Sequence, residues 1–248
     1  MARYKINLEY DGTNLIGWQE NAQGPSVQSL VQDAIFKFCG EKTEVYSAGR
    51  TDAGVHAISM IAHFDLEREQ SPETVMRAMN FYLTDKPVAV LCCEKVSDDF
   101  HARFSCIGRH YKYIVLNRSA PVVLNKNRVW WVPQKLNIDA MRAAAQKLIG
   151  KHDFTSFRAA QCQAKSPIKT LDYVNITRNG DEIIFEFSAR SFLHHQVRNM
   201  VGTLVEIGMG KPLDIDEIFN VKNRSAAGIN APACGLYFVN AEYATDDD

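Results

Sequence analysis

Arg50 and Asp52 stand two residues apart in the segment Ser47-Ala48-Gly49-Arg50-Thr51-Asp52-Ala53-Gly54-Val55-His56-Ala57. This small, polar segment lies between two apolar, β-like runs at 43–46 and 57–64. In an extended backbone, residues two apart point to the same side, which would set guanidinium and carboxylate side by side. A neighbouring positive charge lowers a carboxyl pKa and keeps the group ionised. An ionised carboxylate in a concave site can act as a nucleophile. Gly49 and Gly54 let the backbone turn sharply and let a ligand come close. The same residues also describe a β-turn carrying a solvated Arg–Asp pair, and spacing alone leaves both readings open.

Other residues could serve such a site. Residues 108–116 alternate so that Arg109, Tyr111 and Tyr113 share one strand face and His110, Lys112 and Ile114 the other. Tyrosines so placed serve either sheet packing or catalysis. Arg158, Lys165 and Lys169 lie in or beside a long polar stretch, and loops on a rigid scaffold often carry binding groups. His194, His195 and Arg198 open an apolar-periodic run. Two adjacent histidines suggest metal, but a metal site needs converging ligands. No cysteine or acidic residue follows them at ligand spacing, so no metal is expected there.

The elements that must position these groups are legible in order. Residues 4–10 alternate as a half-buried strand, ended by the Asp11-Gly12-Thr13-Asn14 turn. Trp18 suits either core packing or a place near the site. Ser26 begins a helix with Val27, Leu30, Val31, Ala34, Ile35 and Phe38 on one face and Gly40 as its left-handed cap. Ser71-Pro72-Glu73 starts a second helix, and 87–96 reads as a strand. A third helix is expected from the Asn137 cap to Gly150. A hairpin is expected across Asn179-Gly180, a helix from Ser191 with the histidines in its first turns, and a helix over 212–221 before a last strand. This pattern is α+β.

Length and composition set bounds. The chain has 248 residues, enough for one large domain or two small lobes. With 28 basic and 29 acidic residues the formal charge is −1, which argues against a nonspecific polycation. It leaves open an RNA enzyme with a local basic face. None of the six cysteines forms a Cys-x-x-Cys pair, so they read as reduced structural thiols. The N-terminus lacks the apolar core of a signal peptide, no run is long enough to span a membrane, and a cytoplasmic protein is expected. The end, Asp246-Asp247-Asp248, reads as a frayed tail.

The unbroken run from Ala48 to His56 resembles the catalytic-aspartate motif of the tRNA pseudouridine synthase A family. Further motifs follow in that family's order. They are Tyr10-Asp11-Gly12-Thr13 with Gly17-Trp18-Gln19, 98–105 (Asp-Asp-Phe-His-Ala-Arg-Phe-Ser) and Arg109 with Tyr111 and Tyr113. Asp153 to Arg158, Phe192 to Gly202 and Ala231 to Phe238 complete the set. His110, Cys234 and Phe238 depart from it, as do Leu15 and Ile16, where the family often has an aromatic. The resemblance implies the pseudouridine synthase fold, an α+β fold with a mostly antiparallel central sheet flanked by helices. It further implies two similar lobes, here 1–105 with the aspartate loop and 106–248, with a cleft between them. It implies tRNA as substrate, uridines 38, 39 and 40 of the anticodon stem-loop as targets, and a homodimer.

By the same resemblance Asp52 is the catalytic residue, Arg50 holds it or takes the place vacated by the base, and Tyr111 stacks on the base or moves a proton. Leu236 would lie against the base. Arg198 would lie near the aspartate or on a phosphate, and Arg158, Lys165, Lys169, His194 and His195 would meet RNA. The isomerisation transfers no electrons and no net atoms, so no metal or other cofactor is expected. Two rival readings are a catalytically silent RNA-binding module and a carboxylate-dependent glycosidic hydrolase. The second requires another carboxyl group across a cleft, and the sequence marks none.

Overall fold

The computed structural model describes residues 1–244; the end read as a frayed tail, Asp246 to Asp248, lies outside them. The chain opens with β1 (Ala2–Tyr10), α1 (Val27–Cys39), β2 (Tyr46–Ser47), β3 (His56–Leu66), α2 (Pro72–Leu83) and β4 (Val88–Val96). It continues with β5 (Cys106–Leu116), β6 (Trp130–Trp131), α3 (Ile138–Gln146), β7 (Gly150–Asp153) and β8 (Ile168–Leu171). β9 (Tyr173–Asn179), β10 (Glu182–Ala189), α4 (Gln196–Gly208), α5 (Ile215–Val221) and β11 (Leu236–Tyr243) complete it. Contacts divide the chain into two compact units. One holds Met1–Ile107 and the residues from Tyr237 on, the other Gly108–Leu236. The class is α+β, with mixed, mostly antiparallel strand pairing.

In the first unit the strand order is β4-β1-β3-β11, with β2 also on β3. β1 runs antiparallel to β3 and β4, and β11 parallel to β3 through Tyr237–His56 and Phe238–Ala57. Tyr4, Ile6 and Leu8 are fully buried, while Lys5, Asn7 and Glu9 between them are not. Each such aliphatic contributes about 1.5–3 kcal/mol, and a one-residue slip would turn all of them outward. α1 begins where the Ser26 hydroxyl accepts the Ser29 N–H at 3.0 Å. It ends at Gly40, φ 78°, whose N–H donates to the Phe36 carbonyl. Val27, Val31, Ala34 and Ile35 form its buried stripe, with Leu30 and Phe38 half-buried at the edges. α2, capped by Ser71 with Pro72 in its first turn, packs on β4 and α1.

In the second unit β10 lies between β5 and β9, antiparallel to both, and β6 pairs parallel with β5. Tyr113, Val115, Val174, Ile176, Ile183, Phe185 and Phe187 are buried there. Several boundaries differ from the sequence expectation; α5 starts at Ile215, after its Asp214 cap, rather than at 212. The β9–β10 turn is Gly180-Asp181, with Gly180 at φ 57°, because Asn179 still pairs with Glu182 in the ladder. α3 ends at Gln146 rather than running to Gly150. The N–H groups of Leu148 and Ile149 bond three residues back, which tightens the last turn, and Gly150 at φ 105° redirects the chain into β7. α4 starts at Gln196, not Ser191, because His195 adopts a left-handed φ of 63° that a right-handed helix cannot contain. Among the described residues no helix is long and apolar enough to cross a membrane.

Candidate active site

The aspartate loop hangs between β2 and β3. The Ala48 N–H donates to the Ile61 carbonyl at 2.8 Å, which anchors its start. Thr51 is 8% exposed, whereas Asp52 is half-buried and Arg50 exposed. The alternation sets Thr51 inward and its two neighbours the other way. The Asp52 carbonyl accepts the Val55 N–H at 3.1 Å, closing a turn in which Gly54 has φ 78°. Of the two loop glycines only Gly54 uses left-handed backbone; Gly49 does not.

Residues 10–18 clamp this loop. The Tyr10 hydroxyl is 2.8 Å from the Thr51 hydroxyl, and the Trp18 N–H donates to the Thr51 carbonyl at 3.0 Å. Gly17 pairs with Asp52 in an isolated β-bridge at φ 102°. A Cβ there would meet the Thr51 carbonyl oxygen and lie 2.9 Å from the Asp52 carbonyl carbon. A Cβ on Gly12 would overlap the Val55 carbonyl. The Gly12 N–H donates to His56 Nδ1 at 3.0 Å, and the buried His56 ring stacks on Tyr237 with centroids 4.8 Å apart. Trp18, which the sequence left between two roles, is buried beside Tyr10. Its backbone steadies the aspartate loop.

Within the second unit a different group of the expected residues is drawn together. The Ala159 N–H donates to the His194 carbonyl at 2.9 Å, and Asn199 Nδ2 donates to the Phe157 carbonyl at 2.7 Å. These bonds dock the stretch carrying Arg158 against the segment carrying His194, His195 and Arg198. The histidine rings lie 4.1 Å apart, and the Asn230 amide is 3.3 Å from His195 Nδ1. The two histidines precede α4, while Arg198 and Asn199 lie in its first turn. Arg198 Nε donates to the Ala231 carbonyl at 2.8 Å, tethering the segment that leads to the buried Leu236. Lys165 is exposed in the 158–167 connection, and Lys169 sits in β8 opposite His152.

The two tyrosines of β5 diverge. Tyr113 is fully buried, and its hydroxyl donates to the Pro232 carbonyl at 2.7 Å. Burial drives its pKa well above the usual value, so it stays a protonated donor. Tyr111 is half-buried, its ring meeting Phe192 edge-on at 5.1 Å.

Residues 7–105 and 144–244 match the family described as tRNA pseudouridine synthase. The chain belongs to that family. It is 54% identical to the tRNA pseudouridine synthase A of Rhodospirillum centenum over 98% of this chain and all of that protein. It is 50% identical to that of Paramagnetospirillum magneticum over 98% of this chain and 96% of that protein. It is 49% identical to that of Bartonella bacilliformis over 98% of this chain and all of that protein. Membership makes the synthase an isomerase.

Sequence reasoning did not give roles to several residues that build the synthase's loops. Gly12 and Gly17 were visible only as motif letters; what marks them is the lack of a Cβ where another backbone passes. Asn199 is buried and joins three segments, since its Oδ1 also accepts from Arg224 at 2.9 Å. Gly202 lets the 228–231 strap lie on α4, for a Cβ there would overlap the Ile229 carbonyl. The Gly228 N–H closes the strap onto the Thr203 hydroxyl at 2.9 Å.

Proposed function

We propose that this synthase converts uridine to pseudouridine at positions 38, 39 and 40 of the tRNA anticodon stem-loop, with Asp52 as the nucleophile. The observation that carries the reading is the clamped Asp52 loop. Its backbone is held by Gly17 and Trp18 and its Thr51 hydroxyl by Tyr10, so the carboxylate is presented from a rigid frame. The match along nearly the whole chain to synthases of tRNA supplies the substrate class.

The reaction exchanges one bond for another. The N1–C1′ bond breaks, the uracil turns, and a C5–C1′ bond forms. The proton on C5 leaves to water and N1 gains one, so electrons balance without an oxidant or a cofactor. The target base must first leave its stack, which costs a few kcal/mol. Arg50 takes the vacated place or holds Asp52 ionised. Tyr111 stacks on the flipped base, and its hydroxyl is a proton carrier for C5. Leu236 gives the base an apolar contact. Asp52 acts at C1′, at C6, or by assisting a glycal route. Arg158, Lys165, Lys169, Arg198, His194 and His195 meet the phosphates, so affinity falls steeply with salt. The enzyme works as a homodimer in the cytoplasm.

The test is tritium release from tRNA labelled at uridine C5, with wild type and Asp52→Asn side by side and the product mapped. Release by the wild type alone, with pseudouridine at 38–40, is expected. Release by both would remove Asp52 from the reaction. Binding without release by either would favour a silent RNA-binding module, and free uracil a hydrolase.

A further inference from the structure

The turn between β4 and β5, residues 97–105, has no part in the chemistry above, yet it is among the most firmly tied loops of the first unit. The Phe100 N–H donates to the Ser97 carbonyl, and the Ser105 N–H to the His101 carbonyl at 2.9 Å. The Ser105 hydroxyl accepts the His101 N–H at 2.9 Å. His101 Nδ1 accepts the N–H of Arg103 at 3.1 Å and of Phe104 at 3.4 Å. Ala102, fully buried, donates to His63 Nδ1 at 3.1 Å and accepts the Tyr243 hydroxyl at 2.7 Å. Arg3 holds the carbonyls of Asp98 and Phe100 from below.

What this scaffold presents is a bare ring. Phe104 is 73% exposed. It leans on His101 with centroids 4.3 Å apart, and the Arg103 guanidinium lies 5.6 Å from its centre. His101 in turn lies 5.5 Å from Tyr46, itself 47% exposed. Because His101 Nδ1 is an acceptor, the neutral ring carries its proton on Nε2, a donor.

We propose that Phe104, propped by His101 and flanked by Arg103, is a stacking platform for an unpaired base of the bound tRNA other than the target uridine. The inference rests on tRNA being the substrate. A fixed exposed aromatic beside a guanidinium and an imidazole N–H is how single-stranded nucleotides are gripped: the base stacks and the cation meets the adjoining phosphate. Holding the ring in place beforehand removes most of the ordering cost of binding.

The experiment measures tRNA affinity and steady-state turnover for wild type, Phe104→Ala and Phe104→Trp, with thermal unfolding and sedimentation of each. Phe104→Ala is expected to weaken tRNA binding about five- to hundredfold, with the loss appearing in KM rather than kcat and the Tm unchanged. Phe104→Trp is expected to bind as tightly as wild type. Phe104→p-benzoylphenylalanine is expected to crosslink, under light, to an unpaired nucleotide of the tRNA. Equal affinity of wild type and Phe104→Ala, in a wild type that modifies tRNA, would overturn the platform alone. Altered sedimentation with unaltered tRNA affinity would assign the ring to a second copy of the chain and likewise overturn it. A wild type that neither binds nor modifies tRNA would bring down the substrate reading and the platform together.

Discussion

The Trp18 N–H donates to the Thr51 carbonyl at 3.0 Å, one residue before Asp52, and Gly17 beside it pairs with Asp52 itself. The position of the carboxylate is thus inherited from residues 34–35 places earlier in the chain. Gly17→Ala would put a methyl against the loop backbone at a φ of 102° that alanine avoids. It is expected to cost on the order of 1–3 kcal/mol in urea unfolding and to slow single-turnover pseudouridine formation. Tyr10→Phe, which removes the hydroxyl bond to Thr51, is expected to cost about 1 kcal/mol.

Asp52→Asn keeps the shape of the side chain and removes the carboxylate proposed as the nucleophile. Turnover is expected to fall by about 10⁴-fold or more, with tRNA affinity within a few-fold of wild type. Filter binding and tritium release on the same preparations separate the two effects.

Tyr111 and Tyr113 are expected to respond oppositely to loss of a hydroxyl. Tyr113→Phe strands the Pro232 carbonyl inside the second unit and is expected to cost about 1–3 kcal/mol of stability. Tyr111→Phe keeps the half-buried ring against Phe192, and its effect is expected in turnover. It is expected to slow turnover about 10²-fold if the hydroxyl carries the proton. Unchanged turnover would reduce Tyr111 to a stacking group.

The strap over α4 is expected to fail at Gly202. A methyl there collides with the Ile229 carbonyl, and no side-chain rotation relieves a backbone clash. Gly202→Ala is expected to cost several kcal/mol, about the upper end of single substitutions, and to speed amide exchange at Gly228. Asn199→Ala is expected to release both the 157 and the 224 segments, read by limited proteolysis.

His63 sets an acid limit on the first unit. Burial, reinforced by the nearby His101 and Arg3 charges, lowers its pKa to about 4, against about 6.5 in the unfolded chain. Between those values the unfolded chain binds a proton that the fold refuses. Stability is therefore complete above pH 6.5 and declines as pH falls towards 4, by up to about 3 kcal/mol. His63→Asn retains an acceptor for the Ala102 N–H and is expected to flatten urea midpoints across that window.

The sequence by itself determined the local elements and the chemistry-bearing letters. Alternation in β1, the Ser26 and Ser71 caps and Gly40 are signals within one turn or one strand, and their physics is local. The Arg50–Asp52 motif was legible for the same reason, and the family resemblance it began is the one the matches show. Tertiary structure decided the rest. It placed His195 outside α4 by a left-handed backbone. It divided the like-looking Tyr111 and Tyr113 into a half-buried and a sealed ring. It made Gly12, Gly17 and Gly202 essential to close approach, which depends on the backbone that passes over each one. Such contacts join residues far apart in the chain, so no window of sequence contains both partners.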